Sequence, residues 1–374
     1  MNPQTIFITG ATGFIGRWLV RALAQQGHQM ILMLRQPEQQ RGELTEWLQQ
    51  HDVVSPAFDV VQGDLAQADW GLTEVDQQRL AGVDVIYHLA TRFAWNLSTR
   101  DARLANVESM ATLLKLVDRN PGLQRLVWVG GYMVGHPKLQ STLQQLAQGQ
   151  WQRAYRRLGA YEASKLEGYV VLKAALAQRQ VPWTFVHPST VIGASGNGEI
   201  SQDIGLLKLL DALQKGRLTA VPGKQDDWLP VVAVDYLAQF LAHVPQQAAA
   251  DGQEYWVLDD GTPRLTELVG WLAQGIQVPA PRARIPVVVM KWLLQAGLGK
   301  RWDMSAESLN FIGSARFDTG PALVLAEQMN LPMPHTYATV QKMVAYWRST
   351  QPSFSIRYSC ADRRGSPSAG VNLE

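Results

Sequence analysis

The sequence predicts an α/β protein: a doubly wound parallel sheet followed by a small, mixed but mainly helical lobe. Three observations carry that prediction. A glycine-rich turn at residues 10–16 joins a first apolar run to a first helical pattern. Near-continuous apolar runs then alternate with helical stretches up to residue 188, as expected of parallel strands covered on both faces. The polar and glycine residues of interest fall at the carboxyl ends of those strands, where such sheets bind ligands.

The first strand is Ile6-Phe7-Ile8, and the turn Thr9-Gly10-Ala11-Thr12-Gly13-Phe14-Ile15-Gly16 follows it. Without a Cβ, Gly10 and Gly13 let the backbone turn tightly and approach a pyrophosphate, while Gly16 lets the helix pack on the sheet. The helix N-terminus offers unpaired N–H groups to the phosphates. A dinucleotide is therefore expected over residues 10–16, with Thr12, Phe14 and Ile15 in its contact set. Gly27-His28 ends this helix and 29–34 is the second strand. Arg35 stands at its end, and no acid occurs in 30–37. An acid there would bind the ribose 2′-OH, whereas an arginine accommodates a 2′-phosphate, so NADP is expected rather than NAD. The competing reading of Arg35 is a solvated loop residue.

Residues 38–52 read as a polar helix, and the third strand, 58–61, ends in Gly63-Asp64-Leu65. Asp64 and Leu65 are placed at the adenine ring, one accepting a hydrogen bond and one packing. The fourth strand, 83–90, contains His88-Leu89-Ala90 and precedes Thr91. His88 reads as a packed histidine near the cofactor. A helix over 101–119 carries Asn106, and the fifth strand, 123–129, ends in Gly130-Gly131.

Residues 138–159 read as a helical insertion near the site mouth. Then comes Tyr161-Glu162-Ala163-Ser164-Lys165. Residues four apart share a helix face. An ammonium beside a phenol lowers its pKa from about 10, so the pair can exchange a proton with a substrate oxygen. A second Tyr-x-x-x-Lys, Tyr169 and Lys173, lies on an apolar helix face and reads as core.

Taken in order with His187-Pro188-Ser189-Thr190-Val191-Ile192-Gly193, these motifs resemble the extended short-chain dehydrogenase/reductase family, of the epimerase/dehydratase-like kind. The segments 188–193 and 229–236 look closer to its carbonyl and acyl-thioester reductases than to its nucleotide-sugar enzymes. The resemblance implies a Rossmann-type fold and a general acid/base, Tyr161. Lys165 would lower its pKa and hold the nicotinamide ribose. Pro188, Ser189, Thr190 and Val191 would face the nicotinamide, and Asn106 would support the lysine side. It implies pairing as a homodimer through helices such as 101–119 and 161–178. The family usually carries a Ser or Thr at the position of Gly130. Three readings of that departure stand: another hydroxyl such as Tyr132 or Thr91 substitutes, the substrate needs no second donor, or the protein binds cofactor without turnover. A net oxidoreductase, an epimerase or dehydratase with transient hydride transfer, and a non-catalytic sensor follow as alternatives.

In the second half, 194–202 reads as a loop near the cleft and 206–213 as a helix. Asp235 is expected to cap a helix over 236–244, and 254–258 is expected to be the last strand. Thr262-Pro263 is expected to open another helix, followed by helices around 287–295, 306–311, 323–329 and 340–347. Trp292, Trp302, Met304 and Phe311 are candidates for an apolar pocket or for plain core, and Arg282 and Arg284 leave room for an anionic tail. The expected division is 1–190 for the cofactor, 191–350 for the substrate, and 351–374 as a disordered tail.

Composition excludes other classes. The 374 residues are 46% hydrophobic and 18% charged with net charge +2, so no nucleic-acid partner is expected. The seven histidines show no HExxH or Cys/His pairing, so no metal is expected. The most apolar stretch, 285–298, is broken by Pro286 and Lys291, so no membrane span is expected. The lone Cys360 and an amino terminus that passes directly into the first strand suit a cytoplasmic protein acting on a small molecule.

Overall fold

Alternation along the first strand, β1 (Thr5–Thr9), sets the architecture. Ile6 and Ile8 enter one core and Phe7 another, and all three are buried. The strand therefore lies in a sheet covered on both faces. The computed structural model describes residues 3–92, 97–201, 205–297 and 306–351. The later strands are β2 (Gln29–Leu34), β3 (Phe58–Gln62), β4 (Val85–His88), β5 (Arg125–Val129), β6 (Trp183–Pro188), β7 (Thr190–Ile192), β8 (Ala220–Pro222), β9 (Val231–Ala233), β10 (Gln253–Val257) and β11 (Ala283–Ile285). Seven form one parallel sheet in the order β3-β2-β1-β4-β5-β6-β10, while β7 pairs with β9 and β8 with β11. The order reverses between β1 and β4, where Thr9 pairs with His88, and a crevice opens at that switch point.

The helices are α1 (Phe14–Gln25), α2 (Pro37–Gln50), α3 (Glu74–Arg79), α4 (Thr99–Arg103), α5 (Met110–Asp118), α6 (Gln140–Ala147), α7 (Gln152–Leu158), α8 (Ala160–Leu176), α9 (Leu206–Gln214), α10 (Val234–His243), α11 (Leu265–Gly275), α12 (Val287–Gln295), α13 (Gly320–Gln328) and α14 (Thr336–Thr350). Leu19 and Leu23 of α1, Phe240 of α10 and Leu325 of α13 cover the Ile6 and Ile8 face. Ala102 of α4, Leu113 of α5 and Leu166 and Leu172 of α8 cover the Phe7 face. A third core joins α9, α11 and α14 through Leu210, Leu268 and Met343.

Several sequence expectations change in detail. The fourth strand stops at His88, so Leu89, Ala90 and Thr91 leave the sheet. The Gly10 turn backs onto this exit, where a Cβ on Gly10 would lie 2.8 Å from the Ala90 nitrogen. The helix over 101–119 is α4 and α5 joined by a π-helical turn, Leu104–Glu108. The insertion is α6 and α7. Thr262 and Pro263 precede α11 rather than opening it, and β10 is followed by β11, which is too short for a period to register. Asp235 is not a cap. It lies in the first turn of α10, and its carboxylate accepts from the Ser195 N–H at 2.9 Å and the Ser195 hydroxyl at 2.7 Å, which ties down the 194–199 loop. The 352–374 tail with Cys360, and Trp302 and Met304, lie outside the described residues. Among the described residues no helix is long and apolar enough to cross a membrane, and no group of three His, Cys, Asp or Glu could hold a metal ion.

Candidate active site

The glycine turn is built by close approach. Gly10 adopts φ +78°, and its carbonyl accepts from the Gly13 N–H at 3.0 Å. A Cβ on Gly16 would lie 2.0 Å from that same carbonyl oxygen. α1 thus starts hard against β1, with no side-chain cap and no acid in its first turn. Its first N–H groups and dipole are left for an anion, which is the chemistry a pyrophosphate requires. Phe14 is buried against Trp18, Val234 and Ala238, and the Thr12 hydroxyl accepts from the Gln40 amide at 3.4 Å.

Beyond the turn, a cavity of about 230 Å³ is lined by Ile15, Gly130, Gly131, Tyr161, Lys165 and residues 188–191, among others. It therefore brings together the head of α1, the end of β5, α8 and the loop after β6. The Ser189 hydroxyl is buried there without a hydrogen-bond partner among the described residues. An orphaned buried hydroxyl beside a glycine cradle and an open helix terminus fits a dinucleotide whose amide end reaches residues 188–191.

The expected residues divide into groups. Tyr161, Lys165, Ile15 and 188–191 share the cavity. Arg35 is exposed at the end of β2. Asp64 accepts from the Ala66 N–H at 2.9 Å, and Leu65 is buried in the core with Trp70 and Met33. The buried His88 bonds Thr9 at 2.9 Å and stacks on Trp70, and burial pushes its pKa down to about 3. Among the described residues Asn106 makes its direct hydrogen bonds to groups other than Lys165. Its carboxamide accepts from the Thr91 hydroxyl at 3.0 Å and the Arg92 N–H at 2.8 Å, and donates to Ser164 at 2.9 Å.

The tyrosine is not tuned as expected. Lys165 Nζ donates to the Gly130 carbonyl at 2.9 Å and lies 5.7 Å from the centroid of the Tyr161 ring. Burial, and then the Glu162 carboxylate, push the Tyr161 phenol above its ordinary pKa. Burial lowers the Lys165 ammonium while Glu162 acts the other way. The phenol is thus held protonated.

Gly130 has a packing reason. A Cβ there would lie 2.5 Å from the Trp128 ring and 2.6 Å from His187 Nδ1. Neither proposed substitute hydroxyl is free to donate, since Tyr132 donates to the Phe311 carbonyl at 3.0 Å and Thr91 to Asn106. The second Tyr-x-x-x-Lys has a polar role at its tip. The Tyr169 ring is core, but its hydroxyl and Lys173 both bond Glu254, which accepts from His187 Nε2 at 3.0 Å. Phe311 lines the cavity, whereas Trp292 is 64% exposed and does not. Glu162, Ser308 and Ile312 also line it and carry no motif. Only their packing against residues far along the chain reveals them.

A phosphate-ready turn at the switch point of a doubly wound sheet, opening on a Tyr-x-x-x-Lys helix, defines an extended short-chain dehydrogenase/reductase. Residues 8–241 match the NAD-binding family described as male sterility protein, and the chain belongs to that family. It is an NAD(P)-dependent oxidoreductase of the extended type. Among curated relatives, peramine synthetase A of Epichloe festucae (strain Fl1) is 27% identical over 243 residues, covering 61% of this chain and 8% of that protein. The hybrid PKS-NRPS synthetase pydA of Acremonium sp is 32% identical over 197 residues, covering 51% and 4%. The chain thus spans less than a tenth of the length of either relative. In fold it is similar to the terminal R domain from the myxalamid PKS-NRPS biosynthetic pathway, with TM-score 0.74, 19% identity and coverage of 92% and 90%. The reductase domain of a nonribosomal peptide synthetase from Mycobacterium tuberculosis gives TM-score 0.68, 20% identity and coverage of 92% and 91%.

Proposed function

We propose that this chain reduces an acyl thioester, or the carbonyl compound derived from it, with NADPH. The observation that carries the reading is the one cavity shared by Ile15, Tyr161, Lys165 and 188–191. Arg35, with no acid in 30–37, supports NADPH over NADH. The peptide synthetase relatives support the thioester class. In this reading residues 1–190 hold the cofactor and 191–350 the substrate.

When bound, the reduced nicotinamide supplies a hydride to the carbonyl carbon. Tyr161, whose phenol is protonated at neutral pH, gives its proton to the carbonyl oxygen. Lys165 holds the ribose and stabilises the phenolate left behind. With a thioester the product of these two transfers is a hemithioacetal; its C–S bond then breaks, its hydroxyl proton passes to the sulfur, which leaves as a thiol, and the product is an aldehyde. Ser189 supplies a hydroxyl at the position of the nicotinamide amide. Asn106 acts at one remove, by seating Ser164 of α8.

The test is NADPH oxidation against acyl thioesters, aldehydes and ketones. Stoichiometric consumption is expected, and Tyr161→Phe should lose about 10²- to 10⁴-fold while still binding NADPH. Arg35→Ala should lower the ratio of NADPH to NADH turnover roughly tenfold, as for one lost charge-assisted hydrogen bond. Interconversion of substrates without net NADPH consumption would instead support an epimerase, and binding without turnover a sensor.

A further inference from the structure

The cavity wall beside Tyr161 is mostly apolar, with Met133, Leu166, Leu209, Leu229 and Phe311 on it. One acid breaks that wall. Glu162 is 6% exposed, and its surface faces this cavity. Among the described residues it makes neither a side-chain hydrogen bond nor an ion pair. Lys165, the cation whose field reaches it, donates its hydrogen bond to the Gly130 carbonyl. The buried Tyr132 hydroxyl, also on the cavity, is engaged with the Phe311 carbonyl. A second acid, Glu307, packs against Gly159 at the start of α8 and adds its field to that of Glu162.

A desolvated carboxylate without a partner is unfavourable, so such groups persist where a ligand completes them. Glu162 follows Tyr161 by one residue, about 100° round the helix. Both residues line the same cavity, so the acid stands in its wall beside the phenol. A purely apolar acyl chain would leave the acid stranded. A chain with an ammonium group near its carbonyl would pair with it out of water.

We propose that Glu162 is a specificity-determining residue: it forms, in the wall beside Tyr161, a subsite for a protonated amine on the acyl group of the substrate. The proposal rests on the reductase reading and narrows it to aminoacyl substrates with apolar side chains.

The test compares two thioesters of N-acetylcysteamine that differ only in the amine, leucyl and 4-methylpentanoyl, on the full chain. The wild type should favour the leucyl thioester by at least tenfold in kcat/KM. Glu162→Gln should lower that preference at least tenfold, mainly through KM, while the variant keeps its cooperative unfolding. An unchanged preference, or a fall carried by kcat for both thioesters alike, overturns the proposal; in the latter case the acid acts through Tyr161 or Lys165. A second arm separates this failure from failure of the parent reading. Leucinol and 4-methylpentanol are titrated calorimetrically into the NADP-loaded protein. Tighter leucinol binding that Glu162→Gln abolishes upholds the subsite even where neither thioester is reduced. Equal binding of the two alcohols overturns it.

Discussion

At the scale of single residues, position 130 is decided by its neighbours. The family's usual hydroxyl cannot be restored by mutation alone, because the Trp128 and His187 rings fill the space a side chain would need. Gly130→Ser should therefore lower stability by about 1–3 kcal/mol through overpacking and bring no gain in turnover. Thermal unfolding and NADPH oxidation measured together check this, and a faster enzyme of equal stability would show that the rings yield. The contrast with Tyr161 explains what the sequence could reveal. Gly10, Gly16, Tyr161 and Lys165 act through spacing along one turn or one helix face, so linear order exposes them. The meaning of Gly130 depends on a ring 57 positions away, and that of Glu162 on a wall completed by residues 308–312. The Tyr161 phenol shows the same divide. The i,i+4 pairing with Lys165 is local and visible, whereas the burial that raises the phenol is not.

Among elements, α8 is seated by the π-helical turn at Leu104–Glu108, and Asn106 is the joint. Its one side chain holds the exit of β4 at Thr91 and Arg92 and reaches Ser164, whose hydroxyl donates to the Tyr161 carbonyl at 2.9 Å. α8 approaches closely enough that a Cβ on Gly168 would lie 2.4 Å from the Asn106 carbonyl oxygen. Asn106→Ala should cost about 1–3 kcal/mol, because it orphans buried groups on two elements. It should also lower kcat more than it raises KM for NADPH, because it shifts Tyr161 rather than the glycine turn. Asn106→Asp keeps the acceptors for Thr91 and Arg92 and should recover part of the loss. A variant as stable and as fast as wild type would remove the joint from the mechanism. The elements themselves were largely readable. β2 spans the residues expected of it because both its faces are buried, so its apolar run begins and ends with the strand. The expected fourth strand runs past His88 because Leu89 and Ala90 are apolar for another reason: they back the glycine turn.

For the molecule as a whole, buried histidines set the response to acid. Burial holds His88 down at about 3 and lowers His187, whose Nε2 is bonded to Glu254 while Nδ1 has no partner among the described residues. Each is depressed relative to the unfolded chain, which titrates near 6.5. Below that pH the unfolded chain binds more protons, so stability falls as pH drops from about 6.5 toward the folded values. Glu162 acts in the opposite sense. Its carboxyl is raised to about 7, chiefly by burial, so the folded state takes up a proton between pH 7 and the unfolded value of 4.5. Burial likewise lowers His28 and His136 and raises Glu307 and Asp259, so four depressed histidines stand against three raised acids and the unfolded state holds the excess of protons between pH 6 and 5. Glu254, held at about 2 by His187 and Lys173 against its burial, contributes stability that is lost only below pH 4.5. Urea unfolding at half-unit steps from pH 7 to 4.5 measures the slope. His88→Gln should flatten it, whatever it does to stability at pH 7, and Glu162→Gln should steepen it by removing the opposing proton uptake. A flat profile for the wild type would mean that water reaches both imidazoles, and with it the crevice floor beneath the glycine turn.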